Sequence, residues 1–171
     1  QSSMDGKLMI RTFRYPLLPN MTQAKTLDAW VEGCRQLYNA ALQQRREAWS
    51  RRRVPLYYQD QTRDLAELRR SDKEWAEIPS QVKRSALRRL QRAFDGFFCR
   101  VKQGRTPGFP RFRGRDRYDS FDVGHARIEG NHIHLPKLGP VKFHRYREPK
   151  GKVLSVSVQR HAGRWKICLA C

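Results

Sequence analysis

The sequence predicts an α+β fold: a small OB-like β-barrel with a helical bundle inserted after its first strand. Three observations predict it. A strand-like run near the start stops at prolines before residue 20. Amphipathic helical patterns fill the chain from there to Gly104. Short alternating runs, separated by Gly and Pro, fill the remainder.

Residues 7–20 read as the first strand. Leu8, Met9, Ile10, Phe13 and Tyr15 are strand formers, and Pro16 and Pro19 end the run. Gln1-Ser2-Ser3 before Met4 reads as a terminal scar, which sets residues 1–6 apart from the fold. Thr22 stands where a helix N-cap belongs. Behind it Leu27, Trp30, Val31, Cys34, Leu37, Tyr38 and Ala41 recur at three- and four-residue steps, one face of a helix ending near Ser50. Arg51-Arg52-Arg53-Val54-Pro55 breaks it, and residues 60–70 make a shorter helix with Leu65 and Leu68 inward. Pro79 opens a long helix with an apolar stripe of Val82, Ala86, Leu90, Phe94, Phe97 and Val101, closed by Gly104 and Pro107. Three helices with short connections over residues 21–104 predict a bundle. From residue 105 to 171 strands return. His132–Leu135 and Val141–Phe143 are short apolar runs beside Pro and Gly. Leu154, Val156 and Val158 alternate with polar residues, as do Trp165, Ile167 and Leu169, and Ala162-Gly163 between them makes a hairpin turn.

Charge decides the functional class. Lys and Arg number 36 against 16 Asp and Glu, a formal charge of +20. A compact chain with that imbalance repels itself, and a polyanion relieves the repulsion. A membrane surface fits poorly. No basic amphipathic helix with an insertion face, no lipidation motif and no apolar run of about 20 residues is present. Four cysteines without framework spacing read as reduced thiols of a cytoplasmic protein.

The charge is concentrated. Residues 83–117 hold twelve Lys or Arg and two acids. Lys83, Arg88, Arg89, Arg92, Arg100, Lys102, Arg105, Arg111, Arg113, Arg115 and Arg117 are candidate contacts to a nucleic-acid backbone, and Lys137 and Lys142 extend the set. Phenylalanines at helical spacing among them read as core. In Gly108-Phe109-Pro110-Arg111-Phe112-Arg113, Gly and Pro restrict the backbone, and the aromatics can anchor it. Arg111 and Arg113 then project on one side of an extended segment, suited to tracking a sugar-phosphate backbone.

Tyr15-Pro16, the helix carrying Gln23, Leu27, Cys34, Arg35, Tyr38 and Asn39, the Gly108–Arg113 run, and Leu135-Pro136-Lys137-Leu138-Gly139-Pro140-Val141-Lys142 occur in an order that resembles the TnpB family. These are transposon-encoded, RNA-guided DNA endonucleases related to type V CRISPR effectors. Their N-terminal segment has also been labelled a transposase helix-turn-helix. The resemblance covers about residues 7–171. It implies a wedge domain built from the first strand and the chain after residue 105, and a recognition domain over residues 21–104. It also implies as partners a guide RNA from the transposon end and target DNA, in a prokaryotic cytoplasm beside the nucleoid. Base pairing then supplies sequence while the protein supplies charge and shape. By the same resemblance Tyr58, Ser80 and Arg84 match the positions that read a short transposon-adjacent DNA motif, and an Arg there can fork onto guanine.

The family's cutting chemistry belongs to a RuvC-like nuclease domain with three acids holding two Mg ions, interrupted by a zinc ribbon. The acids of this sequence are scattered and no strand carries an Asp pair, so the chain is expected to bind rather than cut. Its Mg and Zn, and the nuclease domain itself, are expected outside it. Cys168-x-x-Cys171 lacks a second half, and His132 with His134 lacks a third ligand, so no metal or other cofactor is expected. A nuclease-free DNA-binding regulator or transposase accessory protein is one alternative. A general basic RNA-binding protein is another.

Overall fold

The computed structural model describes residues 9–171. The scar reading of residues 1–6 and the strand reading of Leu8 fall outside it, as do the side chains of residues 68–71 and with them Leu68. Strand β1 spans Thr12–Leu18. Helices α1 (Met21–Arg52), α2 (Tyr58–Ser71), α3 (Lys73–Glu77) and α4 (Ser80–Lys102) follow. Strands β2 (Ser120–Gly124), β3 (Arg127–Glu129), β4 (His132–Leu135), β5 (Gly139–Phe143), β6 (Ser155–His161) and β7 (Arg164–Ala170) complete the chain. The order of strand, helices and strands is the predicted one, and α3 is one helix more than the pattern predicts.

Local chemistry explains the boundaries. The N-cap of α1 is Asn20, not Thr22. The Asn20 carboxamide accepts the Gln23 N–H at 2.8 Å while Gln23 Oε1 accepts the Asn20 N–H at 3.0 Å, a reciprocal box that Thr22 does not enter. At the far end Arg53 adopts a left-handed conformation, φ 53°, and its N–H closes on Trp49 O. Helix α3 exists because Asp72 caps it through the Glu74 N–H at 2.9 Å.

Pro16 sits inside β1 rather than ending it. In an extended strand the N–H and C=O of one residue point the same way, and the Pro16 carbonyl accepts the His144 N–H at 2.8 Å. The missing donor therefore faces the β5 side, so the proline removes no bond to β7.

The sheet runs β2-β6-β7-β1-β5-β4-β3, all antiparallel where paired. It is open, so the expected closed barrel is not formed. Two features account for this. Strand β3 has three residues, two of them the charged Arg127 and Glu129, and offers little edge to pair. Strand β2 pairs only with β6, shifts register between Asp122 and Gly124, where glycine takes φ 63°, and also packs against α4. The β6–β7 hairpin turns through Ala162 and Gly163, both at positive φ, as a two-residue hairpin loop requires.

One face of the sheet and the inner faces of the helices share a single core. Trp30 of α1 meets Phe121 of β2 edge-on at 5.7 Å, and Tyr38 packs beside Tyr118 at 6.1 Å. At roughly 1.5–3 kcal/mol for each fully buried large side chain, Leu27, Trp30, Val31, Cys34 and Leu42 hold a helix whose other faces are largely polar. Of the α4 phenylalanines only Phe94 is buried. Phe97 is half-buried and Phe98 exposed, because the last turns of α4 run past the bundle.

Candidate nucleic-acid interface

Helix α4 carries a row at four-residue spacing: Ser80, Arg84, Arg88, Arg92, Gly96 and Arg100. Like charges one turn apart destabilise a free helix by a few tenths of a kcal/mol per pair. Arg84 and Arg92 are exposed and Arg88 half-buried. Nothing among the described ion pairs neutralises these three.

The Gly108–Arg113 run is a strap bound to the helices. Asn39 of α1 grips its backbone twice: Nδ2 donates to Arg113 O at 2.9 Å, and Oδ1 accepts the Arg113 N–H at 2.8 Å. Arg35 adds a third bond, Nη1 to Arg113 O at 3.0 Å. At the other end Arg100 donates through Nε to Pro107 O at 2.6 Å. Phe109 packs edge-on against Phe94 and Phe97, and Arg46 lies over the rings of Phe109 and Phe112. Arg92, Arg100, Arg111 and Arg113 thereby line one groove of about 360 Å³ with Tyr38 on its wall. Arg113 stacks on Tyr38, 5.7 Å from the ring centre. The backbone of the strap is fixed, and Arg92, Arg111 and Arg113 remain exposed on it and beside it.

Glu32 tunes this clamp. Its carboxylate takes Arg35 Nε at 2.9 Å and Nη2 at 2.6 Å, and these bonds hold its pKa down at about 2 against 4.5. A depressed carboxylate stabilises the fold fully above pH 4.5 and loses that contribution as the pH falls toward 2. Thermal melts between those limits are expected to show a smaller loss of midpoint for Glu32→Gln than for the wild type.

The remaining predicted residues divide by surroundings. Lys102, Arg105, Arg115 and Arg117 are exposed. Lys83 is a correction: it is buried, 1% exposed, with Nζ donating to Trp75 O at 2.6 Å, so its charge caps the end of α3 instead of facing a phosphate. Lys137, at φ 62°, likewise donates to Ala76 O at the same helix end. Arg89 lies over the Tyr118 ring at 4.6 Å and donates to Ser120 Oγ at 3.0 Å, tying α4 to β2. Among the motif-reading positions, Ser80 and Arg84 lie one turn apart. Tyr58 lies beside Gln91, whose Oε1 accepts its N–H at 3.1 Å. That is about 10 Å along α4 from Arg84 at 1.5 Å per residue.

Three features escaped the sequence reading. Arg35 and Asn39 grip the strap, and Arg46 extends its charge. Arg45 is a buried cation between α1, α2 and α4. The outer face of the sheet is also basic: Arg14, Lys142, Arg164 and Lys166 are exposed, and β1, β5, β6 and β7 contain no acid. Strand parity placed these cations on one face, but only the pairing shows that they are neighbours.

Among the described residues no group of three or more His, Cys, Asp or Glu could hold an ion. His134 pairs with Glu129 at 3.3 Å. Among the described residues no helix is long and apolar enough to cross a membrane.

A family described as a helix-turn-helix domain, of the OrfB type, matches residues 9–53. Those residues fold as β1 and one unbroken helix, so the matched segment contains no turn between two helices. The "Putative RNA-guided DNA endonuclease InsQ" of Escherichia coli (strain K12) is 27% identical over 165 residues, 94% of this chain and 40% of that protein. A "Putative RNA-guided DNA endonuclease" of Streptomyces pristinaespiralis is 26% identical over 170 residues, 94% of this chain and 41% of that protein. A chain in the cryo-EM structure of a Cas12f1–sgRNA–target DNA complex aligns over 95% of this chain and 48% of its own, with 12% identity and a TM-score of 0.47. The chain spans about two fifths of the length of the curated relatives it matches. Residues 9–53 thus match an OrfB-type helix-turn-helix domain, and 94% of the chain is similar, at 26–27% identity, to two fifths of two proteins named as putative RNA-guided DNA endonucleases.

Proposed function

We propose that this chain is the nucleic-acid-holding part of a TnpB-like RNA-guided DNA endonuclease, binding a guide RNA and its duplex with target DNA. The observation that carries it is the strap groove, where Arg92, Arg100, Arg111 and Arg113 converge on a backbone fixed from α1. Residues 21–104 act as the recognition part, and residues 7–20 with 105–171 as the wedge. A helix-turn-helix mode of docking, with a second helix in the major groove, has no counterpart in residues 9–53. Shape and charge are therefore the means of binding, and the guide supplies the sequence. Arg84, exposed on α4 one turn from Ser80, is the residue for reading a flanking motif on duplex DNA. The chain is proposed to bind without cutting, the Mg-dependent step lying with a nuclease domain beyond these residues. Guide RNA, target DNA and that domain are its partners, in a prokaryotic cytoplasm beside the nucleoid.

The test is RNA capture. The chain is purified from cells carrying a related transposon, and the RNA bound to it is sequenced. Enrichment of transposon-end RNA is expected. Bulk ribosomal and transfer RNA in cellular proportions would point instead to a general basic RNA-binding protein. Cleavage of guide-matched DNA by this chain with Mg would overturn its binding-only role.

A further inference from the structure

The segment after β5 is irregular, yet its backbone and rings are pinned. The His144 N–H bonds to Pro16 O at 2.8 Å, and Tyr15 donates its phenol proton to Arg147 O at 3.1 Å. Arg145 Nη1 donates to Gly130 O at 2.9 Å. The Tyr146 hydroxyl donates to Arg14 O at 2.9 Å, which fixes the direction of its ring. That ring nevertheless stays 56% exposed. His144, also exposed, stands 6.0 Å from it with the planes 30° apart. An aromatic ring placed only to fill the core would be covered, as Tyr15 beneath it is.

The surroundings carry positive charge. Arg147 lies over Tyr146 at 5.4 Å and over Phe13 at 5.1 Å. It borders a groove of about 670 Å³ with Arg11 and Lys150. Among the described residues the one acid on that groove, Glu148, is paired with Arg145. The exposed Tyr146 ring, with Arg147 over it and Arg11 and Lys150 along the adjoining groove, and with no ion pair to these three cations among the described residues, suits a nucleotide whose base is unpaired, its ring stacked and its phosphate held alongside. A base in a duplex has no free face to offer.

We propose that His144 and Tyr146 form a stacking platform for an unpaired nucleobase, with Arg11, Arg147 and Lys150 taking the adjoining phosphates. The site lies apart from the strap groove in the residues it uses, and it rests on the reading of this chain as a nucleic-acid binder. The same chemistry serves an RNA or a DNA single strand.

The full chain is titrated with short oligonucleotides containing 2-aminopurine, as single-stranded RNA, single-stranded DNA and duplex. Quenching on binding to either single strand is expected. Tyr146→Leu keeps an apolar packing group and removes the π face. It should weaken single-strand binding about tenfold and abolish the quench, leaving duplex affinity unchanged. Tyr146→Phe keeps the π face and loses only the bond to Arg14 O, so it should retain the quench and bind single strands more tightly than Tyr146→Leu. Circular dichroism and a melt of each variant show that the fold persists. RNA binding without DNA binding assigns the platform to RNA, and the reverse to DNA. Single-strand affinity and quench unchanged in Tyr146→Leu would overturn the platform and leave the polyanion reading intact. Equal losses for single strands and duplex would also overturn it. A wild-type chain that binds no oligonucleotide at low salt would overturn both readings together.

Discussion

Replacing Arg111 and Arg113 together with alanine is expected to weaken binding to duplex DNA and to single strands about tenfold or more, with little regard to sequence. Each phosphate contact released contributes about 0.9 to the slope of log affinity against log salt for duplex, and about 0.7 for single strands. The double variant should therefore flatten the slope by about 1.8 or 1.4. Fluorescence anisotropy titrations across a salt series measure both quantities. The side chains are exposed, and the strap is held by backbone groups and by Phe109, so their loss leaves the strap docked. Asn39→Ala makes the complementary test, because it leaves the net charge unchanged. It removes both bonds to the Arg113 backbone and leaves only that from Arg35. If positioned guanidinium groups are what bind, affinity falls several-fold in Asn39→Ala as well. If diffuse charge is enough, Asn39→Ala binds like the wild type and the strap is an ordinary basic loop.

The contrast between these two variants marks how far the sequence could be read. The composition of the strap was visible, and so was the direction of its charge. Its partner was not. Asn39 and Arg113 are separated by 74 positions, and nothing local in either segment specifies a two-bond clamp between them. Helices were legible because a 3.6-residue apolar period is a local signal, and α1 buries the residues that signal marked. The same rule failed at Phe97, Phe98 and Val101, where the period continues but the bundle has ended. Lys83 shows the matching limit for charge, since it is buried, while Lys137 stays exposed. Both stand in basic runs, and both point at carbonyls at the end of α3, a helix the sequence reading did not find. Barrel closure depends on whether the two last strands of the sheet meet. That is a matter of register and edge chemistry at β2 and β3, and strand alternation alone does not determine it.

Arg45 to methionine is expected to lower the free energy of unfolding by about 2 kcal/mol, measured by urea denaturation. Arg45 is 6% exposed and, among the described residues, pairs with no carboxylate. Its Nε donates to Gln61 Oε1 at 2.8 Å and its Nη2 to Gln91 Oε1 at 2.9 Å, and the guanidinium lies 4.9 Å over Phe94. Burial disfavours its charged form, with Asp95 and Asp60 opposing that from a distance. Two effects compete in the substitution. Methionine relieves the desolvation of a cation, which by itself can stabilise. It also leaves the buried Gln61 Oε1 with no donor, at about 1–3 kcal/mol, and removes bonds to a charged group worth about 1.5–3 kcal/mol each. Gln91 is less affected, because its Oε1 still receives the Tyr58 N–H. The second effect should win in the single variant. Adding Gln61→Leu removes the orphaned acceptor, and the double variant should recover part of the loss. If Arg45→Met alone is neutral or more stable, desolvation dominates and the network is no anchor. Should the loss appear, it falls on the joint of α1, α2 and α4. An oligonucleotide that binds the folded form more tightly than the unfolded chain should, at saturation, raise the stability of the variant and the wild type alike. The gap between them should then persist unchanged, which separates a residue that holds the basic helix in place from one that touches the strand.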